Sequence, residues 1–140
     1  MDQDRVFHYR ETQIKTASQG QLIVLLYDGL VRFLDIALEN LPAKKYDLVN
    51  ENLLKAQDII TELSVSLNME AGEFSTKLFN IYSFLNMKLI EGNLNKDPAP
   101  LRFVRKMAVE LRDAWSQAAR RGQSTDARET GRDGGIDVAG

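Results

Sequence analysis

Apolar residues recur along most of this chain at steps of three and four residues, the period of an amphipathic helix. Four such segments cover about residues 18–41, 47–67, 72–94 and 100–119. The second is the most regular, because its apolar positions step 4-3-4-3-4 from Val49 to Leu67. No stretch alternates cleanly with the period of two that a half-buried strand requires. The pattern therefore predicts an all-α protein with four main helices.

The connections between these segments are only about five or six residues long, so neighbouring helices must run antiparallel. Helices of about 20 to 24 residues are closely matched in length, which favours an antiparallel up-down four-helix bundle over residues 16–120. Each helix contributes one apolar stripe to the predicted core. The stripes consist of Leu22, Leu26, Leu30, Phe33, Ala37 and Leu41; Val49, Leu53, Ala56, Ile60, Leu63 and Leu67; Phe74, Leu78, Ile81, Leu85 and Leu89; and Leu101, Val104, Ala108, Leu111, Trp115 and Ala118.

Both ends of the chain fall outside this bundle. Residues 1–15 are polar apart from Phe7, Tyr9 and Ile14, and we interpret them as a mobile N-terminal arm. Residues 121–140 are rich in Gly, Asp, Arg, Ser and Thr and carry too little apolar surface to order themselves. We expect a disordered C-terminal tail.

Composition excludes several classes of function. Eighteen basic residues against twenty acidic ones give a net charge of −2, which argues against nucleic-acid binding. The chain has no Cys and only one His, His8, so thiolate chemistry is excluded and a His-based metal or catalytic site is disfavoured. The longest apolar run, residues 22–27, is far too short to insert into a membrane. We expect a cytoplasmic protein without cofactors.

No catalytic signature interrupts the helical pattern. Bundle enzymes with carboxylate-bridged metals use Glu-x-x-His motifs, and the chain has none. Glycine-rich phosphate loops and nucleophile elbows are also absent from the sequence. An enzyme is therefore disfavoured.

Large apolar residues also lie off the predicted core stripes, on more than one helix. They are Val24, Tyr27, Val31, Leu38, Leu54, Val65, Phe84, Met87, Ile90, Leu94, Phe103, Met107 and Ala114. Coherent second stripes indicate grooves that receive another amphipathic helix, and Met side chains adapt readily to such a partner. A homodimer interface, a cover formed by the chain's own arm, and ordinary packing are the alternatives that the residues leave open.

Several runs of residues resemble one known family. These are IKTAS at 14–18, LIVLLYDG at 22–29, NLLKAQDIITEL at 52–63 and LRDAW at 111–115, together with Tyr82 and Asn93. They are similar to the flagellin export chaperones of the FliS family over about residues 5–118. Gln19 stands where the family often has proline, and Ala71 precedes Gly72 where it often has two glycines. Both departures are backbone positions and leave the resemblance intact.

The resemblance implies a cytoplasmic chaperone that is monomeric when free. Its partner would be the C-terminal segment of flagellin, which is disordered in solution and becomes helical as it wraps the chaperone. Covering this segment would prevent premature polymerisation and keep flagellin competent for type III export. The family also implies contacts with the flagellar export gate and with other flagellar regulators. A structural or regulatory helical homodimer is the alternative function.

The resemblance also suggests roles for individual residues. The arm with Phe7, Tyr9 and Ile14 would cap a client groove until flagellin displaces it. Tyr27 would supply an amphipathic wall, unless it packs in the core, and Asp28 a hydrogen-bond acceptor. The remaining candidates for partner binding lie off the core stripes, and Trp115 is assigned to folding. These remaining candidates are Val24, Val31, Met87, Phe103 and Met107.

Overall fold

The protein folds into four long helices and one short 3-10 helix. The computed structural model describes residues 19–128, without the side chains of residues 71 and 122–128. The helices are α1 (Gln19–Asn40), α2 (Tyr46–Val65), α3 (Glu73–Asn95) and α4 (Pro98–Arg128), with the 3-10 helix at Met69–Ala71. No strand occurs between residues 19 and 128. The predicted all-α class is confirmed.

Local sequence explains where the helices meet. Gly72 has φ 86° and ψ −140°, a conformation open to glycine and strained for other residues, and it separates the 3-10 helix from α3. Lys96 ends α3 in the left-handed conformation with φ 49°. The Asp97 carboxylate then accepts a hydrogen bond from the Ala99 N–H at 3.0 Å, and Pro98 occupies the first position of α4.

The helices form a square in which each packs against two neighbours. α1 packs most closely, against α2 on one side and α4 on the other, whereas α3 closes the fourth side with fewer contacts. The core is apolar and continuous through all four helices. Consequently α3 is the helix least covered by the rest of the protein.

Two ion pairs tie α1 to α4. Asp28 and Asp35 lie seven residues apart on α1, and Arg112 and Arg105 lie seven apart on α4 in the opposite order. Arg105 donates through both Nε and Nη2 to the Asp35 carboxylate, while Arg112 Nη1 lies 3.3 Å from Asp28 Oδ1. The reversed order is what an antiparallel pair of helices produces. Because all four side chains are partly exposed, each pair contributes little stability.

The predicted core agrees with the structure most closely on α2 and α4. On α1 it is rotated, because Ile23, Tyr27, Val31 and Leu34 are buried while predicted core residues such as Leu22 and Leu26 are only partly buried. The cause is that α1 is apolar around most of its circumference and packs on two helices at once. Such a helix has no single stripe for the period to identify.

One further expectation needs correction. Phe74 was predicted to lie in the core, but it is exposed in the first turn of α3, near the end of the bundle. α4 extends to Arg128, past residue 121, at which the tail was predicted to begin. Residues 129–140 and the arm at 1–15 lie outside the described residues.

Two glycines provide a matched test of helix spacing. A Cβ on Gly92 would lie 2.7 Å from Cδ2 of the buried Leu101 and 3.2 Å from the carbonyl oxygen of Asp97. We therefore expect Gly92→Ala to lower the free energy of unfolding by about 1–3 kcal/mol, measured by urea denaturation. A Cβ on Gly29 would meet the tip of the Ile59 side chain at 2.9 Å. That tip can move, and alanine favours a helix by about 1 kcal/mol, so Gly29→Ala should be nearly neutral. Equal losses in both variants would contradict this packing.

Candidate binding surface

The outward side of α3 carries large exposed apolar residues from Phe79 to Leu94, interspersed with polar and charged ones. Met87 is 66% exposed and Leu94 is 80% exposed. A single exposed apolar residue is ordinary on a helix, but several large ones on one helix are unusual. We call this surface, with its neighbour on α4, the α3 apolar face. It consists of Phe79, Phe84, Met87, Ile90, Leu94 and Phe103.

An aromatic pair joins this face to α4. The rings of Phe84 and Phe103 meet edge to face, with centroids 5.8 Å apart and an interplanar angle of 84°. Lys88 Nζ lies 5.5 Å from the centroid of the Phe84 ring and forms an ion pair with Glu91. The pair gives a preformed apolar patch, because its rings are oriented before any partner arrives.

A buried polar cluster underlies the opposite side of α3. The hydroxyl oxygens of Tyr27 on α1 and Tyr82 on α3 are 2.7 Å apart, across the centre of the bundle. Burial raises the pKa of both hydroxyls, and for Tyr27 the neighbouring Tyr82 adds to the increase while Trp115 opposes it. The cluster therefore stays neutral in the folded protein and fixes α3 relative to α1.

The structure places the predicted α1 residues mainly inside the bundle. Tyr27 has no exposed surface, Val31 is buried, and Val24 is partly buried against the core. Tyr27 and Val31 therefore do not line an outward surface. Tyr27 packs in the core, which is the alternative position given for it above. Asp28 is exposed, but its carboxylate is paired with Arg112.

The predicted residues of α3 and α4 are brought together on one side. Met87 and Phe103 are exposed on the α3 apolar face, and Met107 is partly buried against the core beside them. Phe7, Tyr9 and Ile14 lie outside the described residues. The sequence analysis did not name Phe79 as a surface residue. Its position eleven residues before Ile90, which is three helical turns, places it on the same side of α3 as Ile90.

Among residues 19–121 no group of three His, Asp or Glu side chains is arranged to hold a metal ion. A cavity of about 10 Å³ lies between the ends of the helices, lined in part by Ile23, Tyr82 and Trp115. Its volume suits a single water molecule at most. None of the described helices is long and apolar enough to cross a membrane. The described part of the chain is a four-helix bundle with large exposed apolar residues on α3 and α4.

Comparison with known proteins shows which family this helical bundle resembles. The model of the family described as "Flagellar protein FliS" matches residues 2–122. The chain is 34% identical over 110 residues to the flagellar secretion chaperone FliS of Bacillus subtilis (strain 168), covering 79% of this chain and 82% of the relative. It is 30% identical over 110 residues to the protein of that name in Escherichia coli (strain K12), covering 77% and 81% of the two chains. A third relative of that name, from Salmonella typhimurium, is 29% identical over 120 residues, covering 84% and 89%.

The chain belongs to the FliS family. This membership gives it a chaperone role in flagellar protein secretion. A chaperone family is not a class of enzyme.

The tyrosine cluster makes a prediction about alkaline stability. Because folding raises the pKa of Tyr27 and Tyr82, the unfolded chain loses these protons at lower pH than the folded protein. Their contribution is complete below pH of about 10 and is lost as the pH rises above it. We expect Tyr27→Phe to cost about 1 kcal/mol at neutral pH and to lose less stability than the wild type above pH of about 10. Urea unfolding at a series of pH values measures both effects.

The exposed Tyr46 provides the control for this experiment. Tyr46→Phe should follow the wild-type pH dependence. Parallel wild-type and Tyr27→Phe curves would contradict the proposed role of the buried pair.

Proposed function

We propose that this protein is a cytoplasmic export chaperone that binds the C-terminal segment of flagellin. In this proposal it prevents flagellin from polymerising before export and keeps it competent for flagellar type III secretion. Family membership and the secretion-chaperone names of its relatives support the role. The identity of the client is the part that we propose.

The observation that carries the proposal is the α3 apolar face. Its α3 residues extend from Phe79 to Leu94 over the exposed half of a long helix, which provides apolar surface for an amphipathic helix. A disordered client that folds on this face would bury Met87, Leu94 and the Phe84–Phe103 pair. Ordering the client costs free energy, so the complex would be releasable rather than permanent.

The N-terminal arm has a part in the proposal. Phe7, Tyr9 and Ile14 would cover apolar surface of the bundle until flagellin displaces them. The protein would then be monomeric when free and would pass its client to the export gate, with other flagellar regulators as further partners.

The test is a calorimetric titration with a peptide of about 50 residues from the C-terminus of flagellin of the same bacterium. We expect saturable one-to-one binding with a negative heat-capacity change, because apolar surface is buried. The helical signal in the far-UV circular dichroism spectrum of the mixture should exceed the sum of the signals of the two components, because the client becomes helical. Absence of binding at tens of micromolar by the folded protein, or concentration-dependent dimerisation through the same face, would contradict the proposal.

A double variant locates the client on the α3 apolar face. Met87→Asp combined with Phe103→Asp places two charges on a surface that binding would remove from water. We expect the affinity to fall at least about 100-fold, since each unpaired buried charge costs several kcal/mol. Circular dichroism should show unchanged helicity, because both side chains are exposed.

Leu25→Asp is the matched control, since Leu25 is exposed on α1, which packs against α2 and α4 and is not a neighbour of α3 in the square. It should bind the peptide like the wild type. Full affinity of the double variant would remove the α3 apolar face from the binding site.

A further inference from the structure

Two stripes of surface residues, all exposed except the half-buried Asn86, flank the junction of α2 and α3. On α2 the stripe steps through Asn50, Leu54, Asp58, Thr61 and Val65 at intervals of four and three residues. On α3 it steps through Phe79, Ser83, Asn86, Ile90 and Leu94 in the same way. Both stripes keep to one side of their helix over about four turns.

Lys96 shows that these two sides are adjacent. Its Nζ donates to Asn50 Oδ1 on α2 at 2.6 Å and to Asn93 Oδ1 on α3 at 2.6 Å. Asn50 begins the α2 stripe, and Asn93 precedes Leu94 at the end of the α3 stripe. The stripes therefore line one shallow groove, the α2–α3 groove, about 23 Å long at 1.5 Å per residue.

The α3 wall of this groove carries no charge. The charged residues of α3 fall on the other side of the helix, in the register of Phe84, which faces α4. These charged residues are Glu73, Lys77, Lys88 and Glu91. A solvent-facing helix side without charge is suited to burial against a partner.

The α2 wall is acidic. Asp47 and Asp58 are exposed, and no ion pair within residues 19–121 involves either carboxylate. Lys55 is turned towards α1, because it pairs with Glu51 and its Nζ lies 5.6 Å from the centroid of the Phe33 ring. The groove thus combines an uncharged wall on α3 with the carboxylates of Asp47 and Asp58 along α2, while the Lys96 ammonium closes the end beside Asn50.

Asn86 stands in the middle of the uncharged wall. Its Oδ1 is buried and, within the described part of the chain, accepts no hydrogen bond. An unpaired buried oxygen destabilises the folded protein, and an apolar residue would fit the site better. Rotation of the side chain towards the groove would let a partner supply the missing donor.

We infer that the α2–α3 groove binds one amphipathic helix of the client, with Lys or Arg residues along the edge of its apolar stripe and a hydrogen-bond donor opposite Asn86. Leu54, Val65, Phe79 and Ile90 receive the apolar stripe, and Asp47 and Asp58 face the cations. This inference deepens the proposed function, because it rests on the client being an amphipathic helix and specifies its chemistry.

The first experiment separates binding from folding at Asn86. Asn86→Leu removes the unpaired oxygen, so the melting temperature should rise. The affinity for the flagellin peptide should nevertheless fall at least about fivefold, as expected for the loss of one hydrogen bond. A higher melting temperature with unchanged affinity would assign Asn86 no part in binding and would overturn this element of the inference.

The second experiment tests the carboxylates along α2. Asp58→Lys should weaken binding of the flagellin peptide about tenfold at low salt, and added sodium chloride should weaken wild-type binding more than binding by the variant. Glu39→Lys on α1 is the matched control, because Glu39 is exposed on a helix that does not neighbour α3, has no ion pair within residues 19–121, and undergoes a comparable change of charge. It should bind like the wild type.

A pair of designed peptides makes the two proposals distinguishable. Both are amphipathic helices of about 18 residues with a leucine stripe, flanked by lysines in one and by glutamates in the other. If the flagellin peptide fails to bind but the lysine peptide binds in a manner sensitive to Asp58→Lys, the proposed client is wrong and the groove is correct. If the flagellin peptide binds wild type, Asp58→Lys and Asn86→Leu equally, the groove is wrong and the client is correct.

Discussion

The burial of α1 on two sides is the constraint on which the rest of the structure depends. Residues 22–27 are an unbroken apolar run, and within it only Leu25 is exposed. It packs closely against both α2 and α4, and ion pairs from Asp28 and Asp35 hold its register on α4. α3 then closes the square with fewer contacts. Its outward side remains exposed.

The sequence predicts helices that pack on one side better than those that pack on two. The apolar period of α2 identifies its buried residues from Val49 to Leu63, because the rest of that helix is polar enough to set a contrast. α1 offers no such contrast. The apolar period placed Tyr27 and Val31 outside the core stripe, but both residues are buried. Phe74 is exposed because a helix period carries no information about where the bundle ends.

Some parts of the candidate surface can be predicted from the sequence and others cannot. Met87 and Phe103 follow from the sequence, since any large apolar residue far from the core stripe is expected to be exposed. The α2–α3 groove does not, because it depends on which helices are neighbours and on which side Lys55 turns. The unpaired oxygen of Asn86 is likewise a property of the packed structure, since an asparagine in a helix carries no signal of its hydrogen bonds.

The central claim is that α3 presents the client-binding surface and α1 holds the bundle together from within. Hydrogen–deuterium exchange of the protein with and without the flagellin C-terminal peptide tests this claim directly, because it reports where the chain becomes protected. The account predicts increased protection in residues 79–94 and 50–65, with little change in the already buried centre of α1. Protection confined to α1 and α4, with α3 unchanged, would contradict it.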